Sequence, residues 1–498
     1  MTATRRTHPY RELLPGRAAE CPHRPAFHFT APAGWLNDPN GLTQRDGLYH
    51  LFYQHNPSAA VHDQMHWGHA VSPDLVSWTD LPIALAPDAG PDQDGCWSGA
   101  LVDDNGTPTI VYSGRRDGRE LPCVAVGSPD LITWEKDPSN PVVATPPPHL
   151  DLVAFRDHCV WFEDGKWRQV IGAGIRGIGG TALLYDSPDL RSWTYVGELL
   201  TGDGATQQQR GVTWSATMWE CVDLLRLTDA DGQQHDALVF SAWDDGDTLH
   251  PLYWSGRYRG DRFDPAALHR LDFGRWYFYA PQSMVDESGR RIMFGWMQEG
   301  RPDSATAAAG WSGVMSLPRL VTARSDGTLA QQPVPELATL RRELLFDGDA
   351  AELAPGVVQG NQLDIEANLS LPPGAAVRIT VCATADGTEK TVYELSRQDD
   401  RVVLSLDRSQ SSRDADVDVE HLSGDFPAAH DDQVHLRILV DHSALEAFAD
   451  GHPLAARIYP TSADATHVSL ELSDAKGELQ IWRMESAAHV NRRTQEVR

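Results

Sequence analysis

The heptapeptide SPDLVSW at residues 72–78 recurs as SPDLITW at 128–134 and as SPDLRSW at 187–193. Serine, proline and aspartate are ordinary turn residues. A tryptophan at a fixed distance after such a turn suits packing between neighbouring repeated units. We therefore expect these heptapeptides to carry architecture and not chemistry.

A second signal repeats in step with the first: a glycine turn followed by a short apolar or aromatic strand. Its five copies lie about sixty residues apart, at residues 47–53, 106–112, 165–171, 232–240 and 289–296. Such a period is typical of radially repeated β structure, because one unit cannot bury both of its faces alone. The sequence predicts an all-β fold that begins with a five-bladed β-propeller.

The pattern changes after residue 322, where turn residues surround a short helical stretch at 335–345. Later segments alternate apolar and polar residues with turn signals about every ten residues, which predicts a C-terminal β-sandwich. A chain of 498 residues is also too long for one core. The expected organisation is an N-terminal extension at 1–24, a propeller at 25–322, a linker at 323–349, a sandwich at 350–487 and a polar tail at 488–498.

The composition excludes several classes of partner. The net charge of −28 argues against nucleic acid and anionic membranes, and no apolar run is long enough to span a bilayer. Six scattered cysteines without a Cys-x-x-Cys pair indicate neither a zinc site nor a disulfide framework. Because the first residues lack the apolar segment of a secretory signal, we expect a cytoplasmic protein with free thiols.

Three carboxylates stand beside strand starts in different repeats. They are Asp38 in WLNDPNG (35–41), Asp157 in AFRDH (154–158) and Glu220 in MWECVDL (218–224). Asp38 could be only a turn residue, and Arg156-Asp157 could be only a surface ion pair. Glu220 is harder to dismiss, because an apolar setting raises a carboxyl pKa, as a general acid requires. A propeller channel collects residues from several blades, and two carboxyl groups are the minimum for cleaving a glycosidic bond.

At these residues the sequence resembles glycoside hydrolase family 32, the family of invertases, levanases and inulinases. The resemblance covers most of the chain. It rests on WLNDPNG (35–41), FYQHNP (52–57), HWGHA (66–70), WSG (97–99), FRD (155–157), WEC (219–221), YAPQ (279–282), VDHSALEAF (440–448) and RIYP (457–460).

The resemblance implies a retaining β-fructofuranosidase that acts on sucrose or short fructo-oligosaccharides and needs no metal or cofactor. Asp38 is then the nucleophile, Glu220 the acid/base, and Asp157 with Arg156 the group that holds fructose hydroxyls. Retention requires the carboxyl groups of Asp38 and Glu220 to lie about 5 Å apart. The remaining substrate-binding residues implied are Asn37, Gln54, His62, Trp67, Trp97 and Ser98.

Some positions depart from the family pattern near the expected pocket wall. His158 and Val222 replace two prolines, and His62 stands where many members have tryptophan. His62, His66 and His69 lie close in sequence, but a metal site is the weaker interpretation. Fructosyl transfer, exo-acting cleavage of levan or inulin and, more remotely, an inactive carbohydrate-binding protein stay open as alternatives.

Overall fold

The computed structural model describes residues 13–202 and 216–491, and nearly all of the regular structure in them is β. Five antiparallel sheets form the blades of a propeller. Blade one contains β1 (Gly34–Arg45), β2 (Leu48–Asn56), β3 (His66–Ser72) and β4 (Trp78–Leu85). Blade two contains β5 (Gly95–Asp104), β6 (Thr107–Arg116), β7 (Arg119–Gly127) and β8 (Trp134–Lys136). Blade three contains β9 (Leu152–Glu163), β10 (Lys166–Ile175), β11 (Gly179–Ser187) and β12 (Thr194–Thr201).

The last two blades complete the ring. Blade four contains β13 (Met218–Thr228), β14 (Gln234–Asp244), β15 (Asp247–Tyr258) and β16 (Phe263–Arg270). The chain of blade five contains β17 (Tyr279–Val285), β18 (Arg291–Met297), β19 (Trp311–Ser312), β20 (Val314–Met315), β21 (Arg319–Ala323) and β22 (Leu329–Pro333). Strand β19 lies between β18 and β20 in the chain, but it pairs in parallel with β1. It therefore extends the sheet of blade one.

The first strand of each blade lines the propeller axis. Strands β1, β5, β9, β13 and β17 contact one another in sequence, and β17 contacts β1 to close the ring. The five repeated glycine turns each precede the second strand of a blade, and all five glycines have φ between 76° and 89°. Glycine adopts this left-handed conformation without steric cost. The predicted five-fold propeller is confirmed.

The SPDL heptapeptides form the turn between the third and fourth strands of blades one to three. Their leucines, Leu75, Leu131 and Leu190, are buried although φ lies near +60° at each. The indole N–H of Trp134 donates to the carbonyl of Leu131 at 3.0 Å, and Trp193 repeats this bond with Leu190 at 2.8 Å. Burial of the leucine offsets the strain of its backbone. These repeats are architectural, as expected.

The C-terminal domain is a sandwich of two antiparallel sheets. Its strands are β23 (Arg341–Asp349), β24 (Gln362–Ser370), β25 (Ala376–Ala383), β26 (Lys390–Gln398), β27 (Arg401–Gln410), β28 (Leu422–Pro427), β29 (Gln433–Asp441), β30 (Ala444–Ala449), β31 (His452–Arg457), β32 (His467–Ser473) and β33 (Lys476–Met484). The sheet orders are β23-β33-β24-β29-β30-β31 and β28-β27-β26-β25-β32. One apolar core fills the space between them.

Two segments differ from the expected organisation. The region 323–349 is not a free linker, because β22 pairs with β21 in blade five and β23 pairs with β33 in the sandwich. Only a 3-10 turn at Pro335–Leu340 separates these strands. In the expected tail, β34 (His489–Asn491) pairs in parallel with β4 of blade one. Backbone pairing with existing sheet edges orders both segments.

Helices are few in the described ranges. Helix α1 (Leu14–Glu20), in the expected N-terminal extension, contacts α2 (Asp303–Ala309), and the rest of that extension before residue 13 lies outside the described residues. In the described part of the chain, no helix has the length and apolar character to cross a membrane.

Candidate active site

The same backbone irregularity occurs in the innermost strand of every blade. Against its neighbour, each inner strand carries an extra residue, a β-bulge, and β1 and β9 carry a second one elsewhere. The bulges lie between Leu36 and Pro39, Cys96 and Gly99, Arg156 and His158, Glu220 and Asp223, and Tyr279 and Gln282. A bulge bends the strand and changes the direction of its side chains. The five bulges therefore turn side chains of all five blades toward the same level of the axis.

Three of these bulges bring the predicted carboxylates together. The thiol of Cys221 lies 3.5 Å from Asp38 Oδ2 and 3.6 Å from Asp157 Oδ2, so β1, β9 and β13 meet at this point. Asp157 and Cys221 both have positive φ, 65° and 47°. Strained backbone of this kind is concentrated at functional sites.

Asp38 is held by neutral donors. Asn37 Nδ2 donates to Asp38 Oδ1 at 2.9 Å, and Ser98 Oγ donates to Oδ2 at 2.5 Å. Asn37 is itself fixed, because the indole N–H of Trp35 donates to its carbonyl oxygen at 2.7 Å. Burial raises the pKa of Asp38 above its usual value, against the hydrogen bonds from Ser98 and Asn37. No guanidinium or ammonium group within the described ranges forms an ion pair with it.

Asp157 is a buried residue of the same site. Its Oδ2 accepts a hydrogen bond from the backbone N–H of Cys221 at 2.9 Å, and its own N–H donates to Ser113 Oγ at 3.0 Å. Burial raises the pKa of Asp157 to about 7, while Arg156 opposes the shift. The carboxylates of Glu220 and Asp38 raise this pKa further, because three negative charges cannot share a small site without cost.

Glu220 has charged and polar partners, although the sequence indicates an apolar setting. Arg156 donates from Nε and Nη2 to Glu220 Oε1, at 3.1 and 2.6 Å. The hydroxyl of Tyr279 donates to Oε2 at 2.7 Å. Arg156, expected to act with Asp157, is thus paired with Glu220. Its guanidinium also lies over the rings of Trp97 and Trp243, at 5.6 and 5.4 Å.

The other predicted residues occupy different depths. Trp97 is half-buried, and Arg115 lies 4.4 Å above its ring. His62 is exposed and meets Trp35 and Trp97 edge to face, with centroids 5.8 and 5.6 Å away. His62 therefore sits at the rim, between two tryptophans.

Two of the predicted contacts, Trp67 and Gln54, are buried. Trp67 is fully buried in an apolar cluster, and its indole N–H donates to the carbonyl of Trp97 at 3.0 Å. Trp67 supports Trp97 from behind and does not line the pocket. Gln54 is also buried, and its amide donates to the carbonyl of Cys96 at 3.1 Å.

The unusual residues His158 and Val222 line an axial cavity that Asp157 and Cys221 also line. His158 is buried between Ser113 Oγ and Gln169 Oε1, each 3.1 Å from a ring nitrogen. Burial lowers its pKa to about 4. Val222 packs in the core of blades three and four. Side chains alternate across a strand, so a residue next to a site residue faces the other way.

Sequence reasoning missed Tyr279 and Ser113 as site residues. Tyr279 begins the inner strand of blade five at the level of the bulges, and Ser113 supports Asp157 from β6. The five-fold repeat contains the signal for Tyr279, since each blade contributes its bulge to one site. His66 lies against the carbonyl of Gln64 at 2.6 Å, and His69 against His50 at 3.0 Å. Among the described residues, no three His, Cys, Asp or Glu side chains are grouped as metal ligands.

Comparison with known proteins gives a consistent result over both domains. Residues 28–333 match the N-terminal domain of glycosyl hydrolases family 32, and residues 336–485 match the C-terminal domain. Raffinose invertase of Escherichia coli is 36% identical over 90% of this chain and 91% of its own length. Sucrose-6-phosphate hydrolase of the same species is 34% identical over 92% and 94%.

Solved structures agree. Fructan 1-exohydrolase IIa from Cichorium intybus superposes with a TM-score of 0.82 and 26% identity, covering 95% of this chain and 99% of its own. Sucrose-6-phosphate hydrolase from Lactobacillus gasseri gives 0.81 and 25% identity, with 96% of each chain covered. From the axial carboxylates, the propeller and sandwich and these matches, the chain belongs to glycosyl hydrolases family 32 and is a glycosidase.

Proposed function

We propose that this protein is a retaining β-fructofuranosidase that releases terminal β-D-fructofuranosyl units from sucrose or short fructo-oligosaccharides. The observation that carries the proposal is the difference between two carboxylates at one level of the axis. Asp38 accepts hydrogen bonds from neutral groups, whereas Glu220 is bound by a guanidinium and a phenol. Two carboxyl groups in unlike environments suit the separate tasks of nucleophile and acid/base.

In the first step, Asp38 attacks the anomeric carbon C2 of the fructosyl unit. The bond from C2 to the glycosidic oxygen breaks, and Glu220 gives its proton to that oxygen as the aglycone leaves. Asn37 and Ser98 fix the carboxylate of Asp38, so that one oxygen lone pair is aimed at C2. Holding the nucleophile in this way removes much of the entropic cost of the reaction.

In the second step, Glu220 takes a proton from water, and the resulting hydroxide oxygen bonds to C2 as Asp38 leaves. Two displacements at C2 return the original configuration. Tyr279 and Arg156 keep Glu220 oriented in both steps. Asp157, as a carboxylate, stabilises the positive charge that develops on the fructosyl ring and binds its hydroxyls. The expected separation of about 5 Å between the carboxyl groups of Asp38 and Glu220 stays part of this proposal.

The substrate assignment is tested by product analysis on sucrose, sucrose 6-phosphate, 1-kestose, levan and inulin. We expect fructose to be released from the short substrates, with β-fructofuranose as the first anomer seen by NMR. Oligosaccharide products at high sucrose would instead indicate a transferase, and faster cleavage of the polymers an exo-acting fructanase. The absence of turnover with all of these substrates would contradict the proposal and favour an inactive carbohydrate-binding protein.

The nucleophile is tested by Asp38→Ala, which should abolish turnover while leaving the circular dichroism spectrum and the melting temperature near wild type. Glu220→Gln should slow sucrose strongly but slow a fructoside with a good leaving group much less, because such a group needs no proton. Near-full turnover by Asp38→Ala would show that the nucleophile is another residue.

We also propose a reducing, cytoplasmic setting. All six cysteines are unpaired, and three of them, Cys96, Cys123 and Cys382, are buried. Unpaired buried thiols are common where glutathione keeps cysteine reduced. Cell fractionation with thiol labelling checks this, and recovery of the oxidised protein outside the cytoplasm would contradict it.

A further inference from the structure

A cavity of about 500 Å³ lies between the propeller and the sandwich, and none of the residues named at the five bulges lines it. Its wall includes the end of β16 and the turn after β21 from the propeller, and the starts of β27 and β31 from the sandwich. Three arginines from these elements line it: Arg270, Arg324 and Arg401. This grouping of cations is unexpected in a chain with a net charge of −28.

Two of the three guanidinium groups have only neutral partners among the described residues. Arg270 donates to the carbonyls of Ser423 and Phe273, at 2.8 and 2.9 Å. Arg324 donates to the carbonyls of Leu329 and Asp450, at 2.5 and 2.7 Å. Burial lowers the pKa of both arginines, and it outweighs the nearby carboxylates, which are Asp272 and Asp425 for Arg270 and Asp326 and Asp450 for Arg324.

The carboxylates that line the cavity are already engaged. Asp425 pairs with Arg401. Asp326 accepts from the backbone N–H and the hydroxyl of Thr328, at 2.9 and 2.7 Å. Three guanidinium groups against two carboxylates leave the lining with one net positive charge. Arg270 uses two of its five N–H groups on the carbonyls, so further donors remain for a ligand.

One side of the cavity is flat and apolar. The ring of His452 stacks on Phe426 with centroids 4.3 Å apart and planes 10° apart, and Phe273 lies parallel at 6.2 Å. Burial and Arg324 lower the pKa of His452 to about 3, so this ring is neutral near pH 7. A planar wall beside unbalanced guanidinium groups suits a ligand with an anionic head and a compact organic body.

We propose that this interdomain cavity is a binding site for a phosphate group, carried either by free phosphate or by a small phosphate monoester. Guanidinium groups recognise phosphate oxygens by paired, charge-assisted hydrogen bonds. The volume exceeds what phosphate alone fills and leaves room for a hexose-sized body along the His452 wall. Because the site joins both domains, its ligand stabilises the folded protein.

Calorimetric titration tests the proposal with inorganic phosphate, a hexose phosphate and the unphosphorylated hexose, at ionic strength matched with chloride. Arg270→Gln and the more exposed Arg401→Gln should each weaken phosphate binding about tenfold, the effect expected for losing a charge-assisted bond. Arg378→Gln is the matched control, since Arg378 pairs with Glu394 on the sandwich surface outside the cavity. Its affinity should equal that of wild type.

Asp38→Ala should bind the hexose phosphate as wild type does, and sucrose should not displace it. Tighter binding of the ester than of inorganic phosphate identifies a monoester as the ligand, and equal binding identifies free phosphate. The proposal is overturned if phosphate binds no better than chloride. It is equally overturned if sucrose displaces the ester, or if neither arginine variant, shown to be folded by its melting transition, weakens binding.

Discussion

The two oxygens of Asp38 accept hydrogen bonds from an amide, a hydroxyl and a thiol, and the lengths of these bonds indicate what each neighbour contributes. Ser98 Oγ donates the shorter bond, 2.5 Å, and reaches Asp38 from the next blade. A hydrogen bond to a charged group contributes about 1.5–3 kcal/mol, more than a neutral pair. Ser98 is therefore the neighbour whose loss should affect the proposed nucleophile, Asp38, most.

We expect Ser98→Ala to reduce kcat about 10- to 100-fold, because the carboxylate of Asp38 loses the shortest of its hydrogen bonds. Steady-state kinetics on sucrose measure the effect. Ser283→Ala is the control, since Ser283 donates to the buried Asp223 at 2.6 Å in the same ring of strands but touches none of the proposed catalytic residues. Equal losses in both variants would mean that Ser98 acts only through packing.

The raised pKa of Asp157 predicts how the stability of the protein depends on pH. Its pKa rises to about 7 in the folded protein from about 4 when unfolded, so the folded state holds the proton more tightly. The free energy of unfolding should then fall as the pH rises from about 4 to about 7, as ionisation of Asp157 opposes folding. Asp157→Asn should remove this loss and stabilise the protein by roughly 1–3 kcal/mol at pH 8, while activity is lost.

Urea unfolding of wild type and Asp157→Asn at pH 5 and pH 8 measures the difference. At pH 5 the gap between the two proteins should be clearly smaller than at pH 8, because only the first part of the fall between about pH 4 and about pH 7 has then occurred. A variant that is less stable than wild type at both pH values would contradict the raised pKa.

Among the elements, the SPDL turns show how a short repeat holds a blade together. Asp74 Oδ1 accepts from the backbone N–H groups of Val76 and Ser77, at 3.0 and 2.6 Å. Asp189 makes the same pair of bonds in blade three, to Arg191 and Ser192 at 2.9 and 2.7 Å. The aspartate thereby satisfies the N–H groups that the tight turn leaves without strand partners.

Replacing Asp74 by alanine should lower the free energy of unfolding by about 1–2 kcal/mol, because two N–H groups lose their acceptor. Activity at 25 °C should be unchanged, since the turn is at the outer part of the blade. Denaturant melts measure the loss, with Asp400→Ala on the exposed β26–β27 turn as control. A loss of activity without a loss of stability would assign chemistry to the repeat.

At the scale of the whole molecule, a buried ionic chain joins the two domains. His28 contacts Asp441 at 2.8 Å and Glu446 at 3.2 Å, and Arg319 pairs with Glu446 at 2.5 Å and with Asp272 at 2.8 Å. All five side chains are fully buried. A ring that faces a carboxylate with each nitrogen donates to both only as an imidazolium. Removing one partner of such a chain leaves an uncompensated charge.

His28→Gln should destabilise the protein by about 3–5 kcal/mol near pH 6. Burial alone would lower the pKa of His28, but Asp441 and Glu446 outweigh burial and raise it. The stabilisation that His28 gives to the folded protein is therefore fully present below the pKa that His28 has in the unfolded chain. This stabilisation is lost as the pH rises through the higher pKa that His28 has in the folded protein. The gap between wild type and variant should narrow in alkaline buffer, measured by thermal melts from pH 6 to pH 10. His421 is exposed, and His421→Gln should be as stable as wild type at every pH. A difference in stability between wild type and His28→Gln that widens with pH would show that His28 is not an imidazolium.

Much of this organisation could be read from the chain before folding. The glycine turns and the SPDL heptapeptides predict five blades, because a turn residue acts through its own backbone and its nearest neighbours. Asp38, Asp157 and Glu220 could be proposed together from the repeat, since each stands near the start of a repeated unit. The alternation of apolar residues after residue 350 predicts a sandwich by local pattern alone.

The contacts between repeats were beyond such reasoning. The sequence predicts an apolar environment for Glu220, because it stands between Trp219 and Cys221. In the structure, the guanidinium of Arg156 donates to Glu220 from the neighbouring blade. Trp67 reads as a pocket residue, yet it packs behind Trp97. The bulge between Glu220 and Asp223 accounts for the first case, because one extra residue in a strand exchanges the faces on which its side chains lie.

The sequence by itself determined the number of blades and the sandwich and predicted the three carboxylates, since local turns, alternation and repeat period are local patterns. Only the tertiary structure decided which group faces each carboxylate, and how the chain at 323–349 is divided between the domains. It also brought together the arginines of the interdomain cavity. These features depend on contacts between residues tens to hundreds of positions apart, and no local pattern encodes the partner across such a distance.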